Sequence, residues 1–522
     1  MKRTVCLLLA LILTLLLLPA GAEVALPISK EPITLSVWFM DINGDCSDLN
    51  SRAIWDYVEE KTNIRLDITV FSVTQQEALN LRMSTLDEAL PDIIMRHGIP
   101  ENLIYDAYEG GFIIELTDEL LKENAPFWAA FLEEHPESDY RINGKRLEVL
   151  EINYDASVGN LRDQLLMNKV WLDELGLKVP TTTTELKNVL QAFKDHAGEG
   201  SIPAEAFPYY YQWDQHITSP FDVLAFWGIP TRRNHWLAVE DGKVIYQGVN
   251  PAIKEPLKYL RELYELGLTP AESFTDDRQT SIARTTSETP YIGFFGNYNN
   301  PNPSIYIPVA PMDTETGVKP IMRKQEFSYT TSRYFMLTSS NKYIAESLRL
   351  IDWLSTDIEA LTNMAYGMRG VRWDYDENGL VQPYTNEQTE AKKAELGEEE
   401  YIRQGAGELP TIKADYYFSH YHDVLADDPN SRQWAYQNIY KNYVWEGYNY
   451  VEASTGDPDL DQRRKDLATE LTNLRTTTLA GWVTGKGDID AEWDAYVEQM
   501  NKLGLQEYLE LCQRGYDTLG WN

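Results

Sequence analysis

The chain has 522 residues, 24% of them charged, with 46 basic against 81 acidic side chains and a formal net charge of −35. That length exceeds one ordinary core and calls for two or more lobes. The negative field repels nucleic acid and anionic lipid and excludes both as expected partners, and three cysteines are too few for a disulfide scaffold.

Lys2 and Arg3, an apolar run over residues 5–18 and the small residues Ala20, Gly21 and Ala22 form a secretory signal pattern. Cleavage is expected after Ala22, so the mature protein should act outside the cytoplasm, secreted or periplasmic. Cys6 lies at the start of the apolar run, not at the cleavage site, so no lipid-modified cysteine is expected. Cys46 and Cys512 stand at opposite ends of the chain; the alternatives are one isolated bridge or two free thiols, of which the thiols are the preferred reading. Tyr (32) and Trp (14) together outnumber Phe (15); rings with an apolar face and a polar edge suit ligands built the same way, such as pyranose sugars.

Residues 33–39 (ITLSVWF) read as a strand ending in a polar turn at 41–44. A helix follows with Ile54, Trp55 and Val58 on one face, then strands over 64–70 and 89–95 (ALPDIIM). This strand–helix alternation predicts βα units and a largely parallel sheet. At 168–186 (NKVWLDELGLKVPTTTTEL), Asn168 is placed to cap a short helix, Gly176 to end it and Pro180 to keep it from resuming. Thr182 and Glu185 have capping-box spacing ahead of a helix buried through Leu186, Val189, Leu190 and Phe193. Further helices are predicted from Glu255, from Glu346 to Ala365 as a pair, and through most of the last third, with Asp490 as a cap. Residues 387–407, charged and without apolar period, read as a mobile surface insertion.

The stretch NKVWLDELGLKVPTTTTEL resembles a signature of extracellular solute-binding proteins (family 1), which deliver carbohydrates to ABC importers. ALPDIIM, YEGGFIIELTDEL at 108–120, RINGKR at 141–146, DGKV at 241–244 ahead of LKYLRELYELGL, and NKYIAESLRLIDWLSTDIEA ahead of AYGMRG extend the resemblance collinearly over most of the chain. MRGVRW and the helical C-terminus are similar to the larger oligosaccharide-binding subgroup. The resemblance implies a two-lobed α/β periplasmic-binding-protein fold (type II-like), a hinge crossed three times, a ligand cleft between the lobes and a helical C-terminal extension. Crossings are expected near Ser157, Tyr306 and Ser355. Residues 23–157 and 307–355 then form the first lobe, and 158–306 and 356–522 the second.

By resemblance, Trp38 and Asp41 stand where the first strand meets the cleft, and Arg96 and His97 come after the PDIIM strand. Tyr298 in FFGNYNN takes the place of a sugar-stacking aromatic. Arg372 and Trp373 end the AYGMRGVRW turn, assigned to the second lobe. Trp213 in YYYQWDQH is added on composition. Stacking rings and charged hydrogen-bonding groups are what a sugar site requires. His420 and His422 have no third placed ligand and are read as surface residues. Larger members often carry a calcium loop where this chain has residues 197–208 (AGEGSIPAEAFP). Ala197, Ile202 and Pro203 replace ligand and turn positions there, leaving oxygens on Glu199, Ser201 and Glu205, too few for a hard cation. No cofactor or metal is expected. The expected partners are an oligosaccharide and the permease subunits of an ABC importer, for a monomeric binding protein with no catalytic residues. A secreted glycosidase or lyase, or the same fold carrying a peptide-type ligand, are the alternatives.

Overall fold

The computed structural model describes residues 24–518 except 42–45, 86–89, 96–97, 136–137, 154–162, 214–218, 231–235, 288, 323–328, 423–428, 430, 446–447 and 451–454. The signal segment, Ser157, Arg96 and His97 therefore lie outside the described residues. The chain divides into two compact units, Met1–Tyr154 with Ser328–His422, and Asp155–Phe327 with Asp423–Asn522.

In the first unit, the β-branched and aromatic run Ile33–Asp41 forms a central strand. It pairs in parallel with Ile64–Ser72, in register from Ile33↔Ile64 to Asp41↔Ser72, and with Ile93–Met95. Tyr329–Leu337 then pairs antiparallel with Ile93–Met95 and with Val149–Asn153, and Ile412–Lys413 closes the six-stranded sheet beside Val149–Asn153. The strand alternation sends Val37 and Phe39 into one apolar layer and Trp38 and Met40 into the other. Helix Ala53–Thr62 buries Ile54, Trp55 and Val58, as its spacing predicts.

The second unit holds a four-stranded sheet in the order Tyr306–Val309, Gln164–Asn168, Ile292–Asn297, Phe207–Tyr209. Helices Lys254–Glu265, Pro458–Val483, Ile489–Lys502 and Leu505–Asp517 contribute Leu257, Leu260, Leu479, Trp493 and Leu511 to a single core with Trp171 and Phe193. Asn168 caps helix Lys169–Glu174 by accepting from Trp171 N–H at 3.2 Å. Thr182 caps Thr183–Asp195 through Glu185 N–H at 3.1 Å. The return bond of the expected box is displaced by one residue, since Glu185 accepts from Thr181 N–H at 2.8 Å.

Several expectations differ. The stretch 356–422 belongs to the first unit, not the second. Helix Ile358–Tyr366 buries Ala360 and Met364 in the same apolar layer as Ile351 and Leu354, and Ile412 pairs with Ile152. The strand Tyr306–Val309 and the chain beyond it up to Phe327 stay with the second unit, because Tyr306 pairs with Asn168. Residues 387–407 are largely helical, in Asn386–Leu396 and Glu398–Arg403; a Thr385–Gln388 capping box starts the first, and Tyr401 buries the second. The cap of Ile489–Lys502 is Asp488, two residues before the one expected.

Candidate functional site

Carboxyl ends of parallel strands are where open α/β sheets present ligand groups. In the first unit, Asp41, Ser72 and Met95 mark those ends. Asp41 is buried, and its Oδ2 accepts from Cys46 N–H at 3.1 Å. Trp38 is 8% exposed, with Phe71 edge-on at 5.7 Å and the Arg82 guanidinium 5.5 Å from its ring centroid.

Arg372 and Trp373 lie in this unit too, which corrects their assignment to the second lobe. Trp373 has no exposed surface, and its indole N–H donates to Asn363 Oδ1 at 3.1 Å and Gly367 O at 3.0 Å. With its ring enclosed and its polar handle engaged, Trp373 is a packing residue. Arg372 donates from Nη2 to Tyr401 O at 2.7 Å and stacks 3.5 Å from that ring's centroid. Burial lowers its pKa from the ordinary arginine value. It ties the 398–403 helix to the turn at Gly367.

Of the second unit's two candidates, Trp213 also falls into the core. It stacks on Phe274 at 5.0 Å, meets Phe221 edge-on at 5.1 Å, and donates to Thr476 O at 3.4 Å. Tyr298 differs. It is half-buried just past the strand Ile292–Asn297, and the Arg432 guanidinium lies 3.9 Å from its ring centroid. Gln164, opposite Asn297 in register, donates from Nε2 to Tyr298 O at 3.3 Å. Gln164 Oε1 and Arg432 Nη1 are buried and have no hydrogen-bond partner among the described residues. Buried polar atoms are nearly always paired, and these two stand beside the same tyrosine.

The neighbourhood is shaped by returning chain. Ser431 caps a short helix carrying Arg432, and a π-turn at Tyr436–Tyr440 comes next, a geometry common at functional sites. The Tyr440 hydroxyl accepts from Leu165 N–H at 3.1 Å and donates to Leu165 O at 3.3 Å, fixing the strand that carries Gln164. A small pocket alongside is lined by Asp163, Leu165, Asp222, Ala225 and Met322. A Cβ at Gly296 would stand 2.9 Å from Asp222 Oδ2, so the glycine of FFGNYNN lets that carboxylate approach the strand. Of the residues gathered here, sequence reasoning named Tyr298 as a candidate and did not name Gln164, Asp222 or Arg432. No motif marks them, and Arg432 is 134 positions from the ring it covers, as read from their numbers.

His420 and His422 have separate partners, Tyr416 O at 2.8 Å and Asp376 Oδ2 at 3.0 Å. Among the described residues, no three His, Cys, Asp or Glu side chains gather as a metal site, and no helix is long and apolar enough to cross a membrane. Cys46 and Cys512 are buried and are not joined in a disulfide.

No family model matches the chain. It is 26% identical over 489 residues, 90% of its own length and 87% of the relative's, to the fructooligosaccharide ABC transporter substrate-binding protein FusA of Streptococcus pneumoniae. A solved structure of an EF-hand mutant of FusA with fructo-nystose covers 94% of this chain and 99% of its own at a TM-score of 0.73 and 23% identity. An extracellular solute-binding protein from Bifidobacterium longum subsp. infantis covers 94% and 98% at 0.74 and 21%. The fold is that of these two-lobed solute-binding proteins, and the resemblance read from the sequence holds along nearly the whole chain.

Proposed function

We propose that the chain, a relative of carbohydrate ABC transporter substrate-binding proteins, is the extracytoplasmic substrate-binding component of an ABC importer. It captures an oligosaccharide and hands it to the permease subunits in the membrane. The observation that carries this reading is similarity over nine-tenths of the chain to a substrate-binding protein, joined to the same fold. Fold likeness alone would leave the function open.

In this reading the protein is a monomer, is released from a signal peptide after Ala22, and binds without turnover. Ligand closes the hinge only to the extent that it binds the closed form better than the open one. Tyr298 offers a ring face to the sugar, with Gln164 and Arg432 meeting hydroxyls. Trp38 and Asp41 are the corresponding candidates of the first unit, with Arg96 and His97 next to them in sequence.

Titration calorimetry with the fructooligosaccharide nystose, alongside a panel of other neutral and uronate oligosaccharides, tests the proposal. Saturable binding of a panel member, with the sugar recovered intact by chromatography, is the expected result. Cleavage of the bound sugar would restore the glycosidase or lyase alternative. Binding of peptides with no sugar bound would move the ligand class.

A further inference from the structure

The loop after helix Thr183–Asp195 is where the larger members of this fold carry a calcium site, and its residues here do not fit one. Glu199 Oε2 lies 2.7 Å from His196 Nδ1, and Ile202 turns into the core. The backbone carbonyl at the position a calcium loop uses is engaged, since Pro203 O accepts from Ala206 N–H at 3.1 Å, and the loop closes on itself through Ile202 N–H to Glu199 O and Gly198 N–H to Ile202 O, each at 2.9 Å. Glu205 is exposed, and one carboxylate cannot supply the six or more oxygens a hard cation takes.

The loop is closed from outside instead. Glu174, the last residue of helix Lys169–Glu174, accepts from Ser201 N–H at 3.2 and 3.0 Å on its two oxygens, and from the Ser201 hydroxyl. Its Oε1 stands nearly where a Cβ at Gly200 would be, so the carboxylate occupies the space that glycine leaves open. Gly200 has φ +53° and Gly198 φ +90°, left-handed conformations that suit glycine and turn the chain so that the Ser201 N–H meets the carboxylate. The hydrogen bonds from Ser201 hold the Glu174 carboxyl below the usual carboxylate range.

We infer that Glu174 does in this chain what a bound cation does in its relatives: an internal carboxylate organises the 197–203 loop and makes its order independent of divalent metal. The sign of the contact is inverted, with the N–H and hydroxyl of Ser201 donating to an anion where a calcium loop turns acceptors onto a cation. Ligand capture then needs no calcium supply outside the cell.

Thermal unfolding of the mature protein with EDTA, and separately with millimolar calcium, should leave Tm unchanged. Glu174→Ala should lower Tm by a few degrees and raise amide exchange across residues 198–202 at least tenfold, with exchange elsewhere in the second unit unaltered. A saturable rise of Tm with calcium in the unmodified protein would overturn the inference. Unchanged exchange over 198–202 in Glu174→Ala would do the same, by showing that the loop holds itself without the carboxylate.

Discussion

Trp373 in the first unit and Tyr298 in the second enter the sequence alike, each an aromatic beside a glycine-bearing turn. The structure separates them by exposure. The Trp373 indole has two acceptors and no exposed surface. Tyr298 is half-buried under an arginine, with unpaired polar atoms on Gln164 and Arg432 next to it. Exposure of the ring, more than aromatic identity, separates the two.

The largest effect should come from Trp373→Ala. Removing a fully enclosed indole leaves a cavity and strands the Asn363 and Gly367 acceptors, so a loss of about 3–5 kcal/mol of unfolding free energy is expected. Affinity per folded molecule should hold. Denaturant unfolding with calorimetry on the folded fraction checks this; a stable variant that no longer binds sugar would place the ring at the ligand after all.

Asp352 shows what burial does to a charge. Its Oδ1 accepts from Phe127 N–H at 3.0 Å and Trp128 N–H at 3.1 Å, while Oδ2 is buried without a partner among the described residues. Burial outweighs those two bonds and raises the carboxyl from its ordinary 3.8 to about 7. The folded state then binds the proton more tightly than the unfolded state. The contribution is complete below the unfolded value and is lost as pH rises from about 4 to about 7. Three pKa units correspond to roughly 4 kcal/mol as an upper bound. Asp352→Asn mimics the protonated acid, so it should be more stable than the unmodified protein at pH 8 and nearly equal near pH 4. Parallel stability–pH curves for the two proteins would show the carboxyl to be unperturbed.

Local features were legible because their physics is local. The caps at Asn168 and Thr182, the Gly176 stop, the buried face of Ala53–Thr62 and the alternation of Ile33–Asp41 all depend on residues a few positions apart. The unit boundaries were less legible. The chain between Thr356 and His422 returns to the first sheet where Ile412 and Lys413 pair with Ile152 and Asn153, a contact with no local mark. The helices at 386–403 hid because a polar helix shows no apolar period, which leaves the Thr385–Gln388 capping box as the only local sign of the first. At the site, Tyr298 could be found from its motif. Gln164 and Arg432 could not, since they reach it by strand register and by a segment that returns after a stay in the other unit.

The smallest expected effect, and the one that bears most on function, is that of Tyr298→Ala. The ring is half-buried, so its removal forfeits only part of an aromatic's burial. It also loses the stacking of Arg432, worth about 0.5–1 kcal/mol at a partly solvated position. Stability should fall by about 1–2 kcal/mol, less than for the enclosed Trp373. Sugar affinity should fall by about 2 kcal/mol, near thirtyfold, because a stacking face is an anchor and its loss also frees Arg432 from the place where it meets a hydroxyl. Tyr298→Phe keeps the ring under Arg432 and should retain most of that affinity. Calorimetry on both variants decides the matter. If Ala and Phe bind equally well, the ring contributes nothing to recognition, and the contrast with Trp373 reduces to a difference in burial.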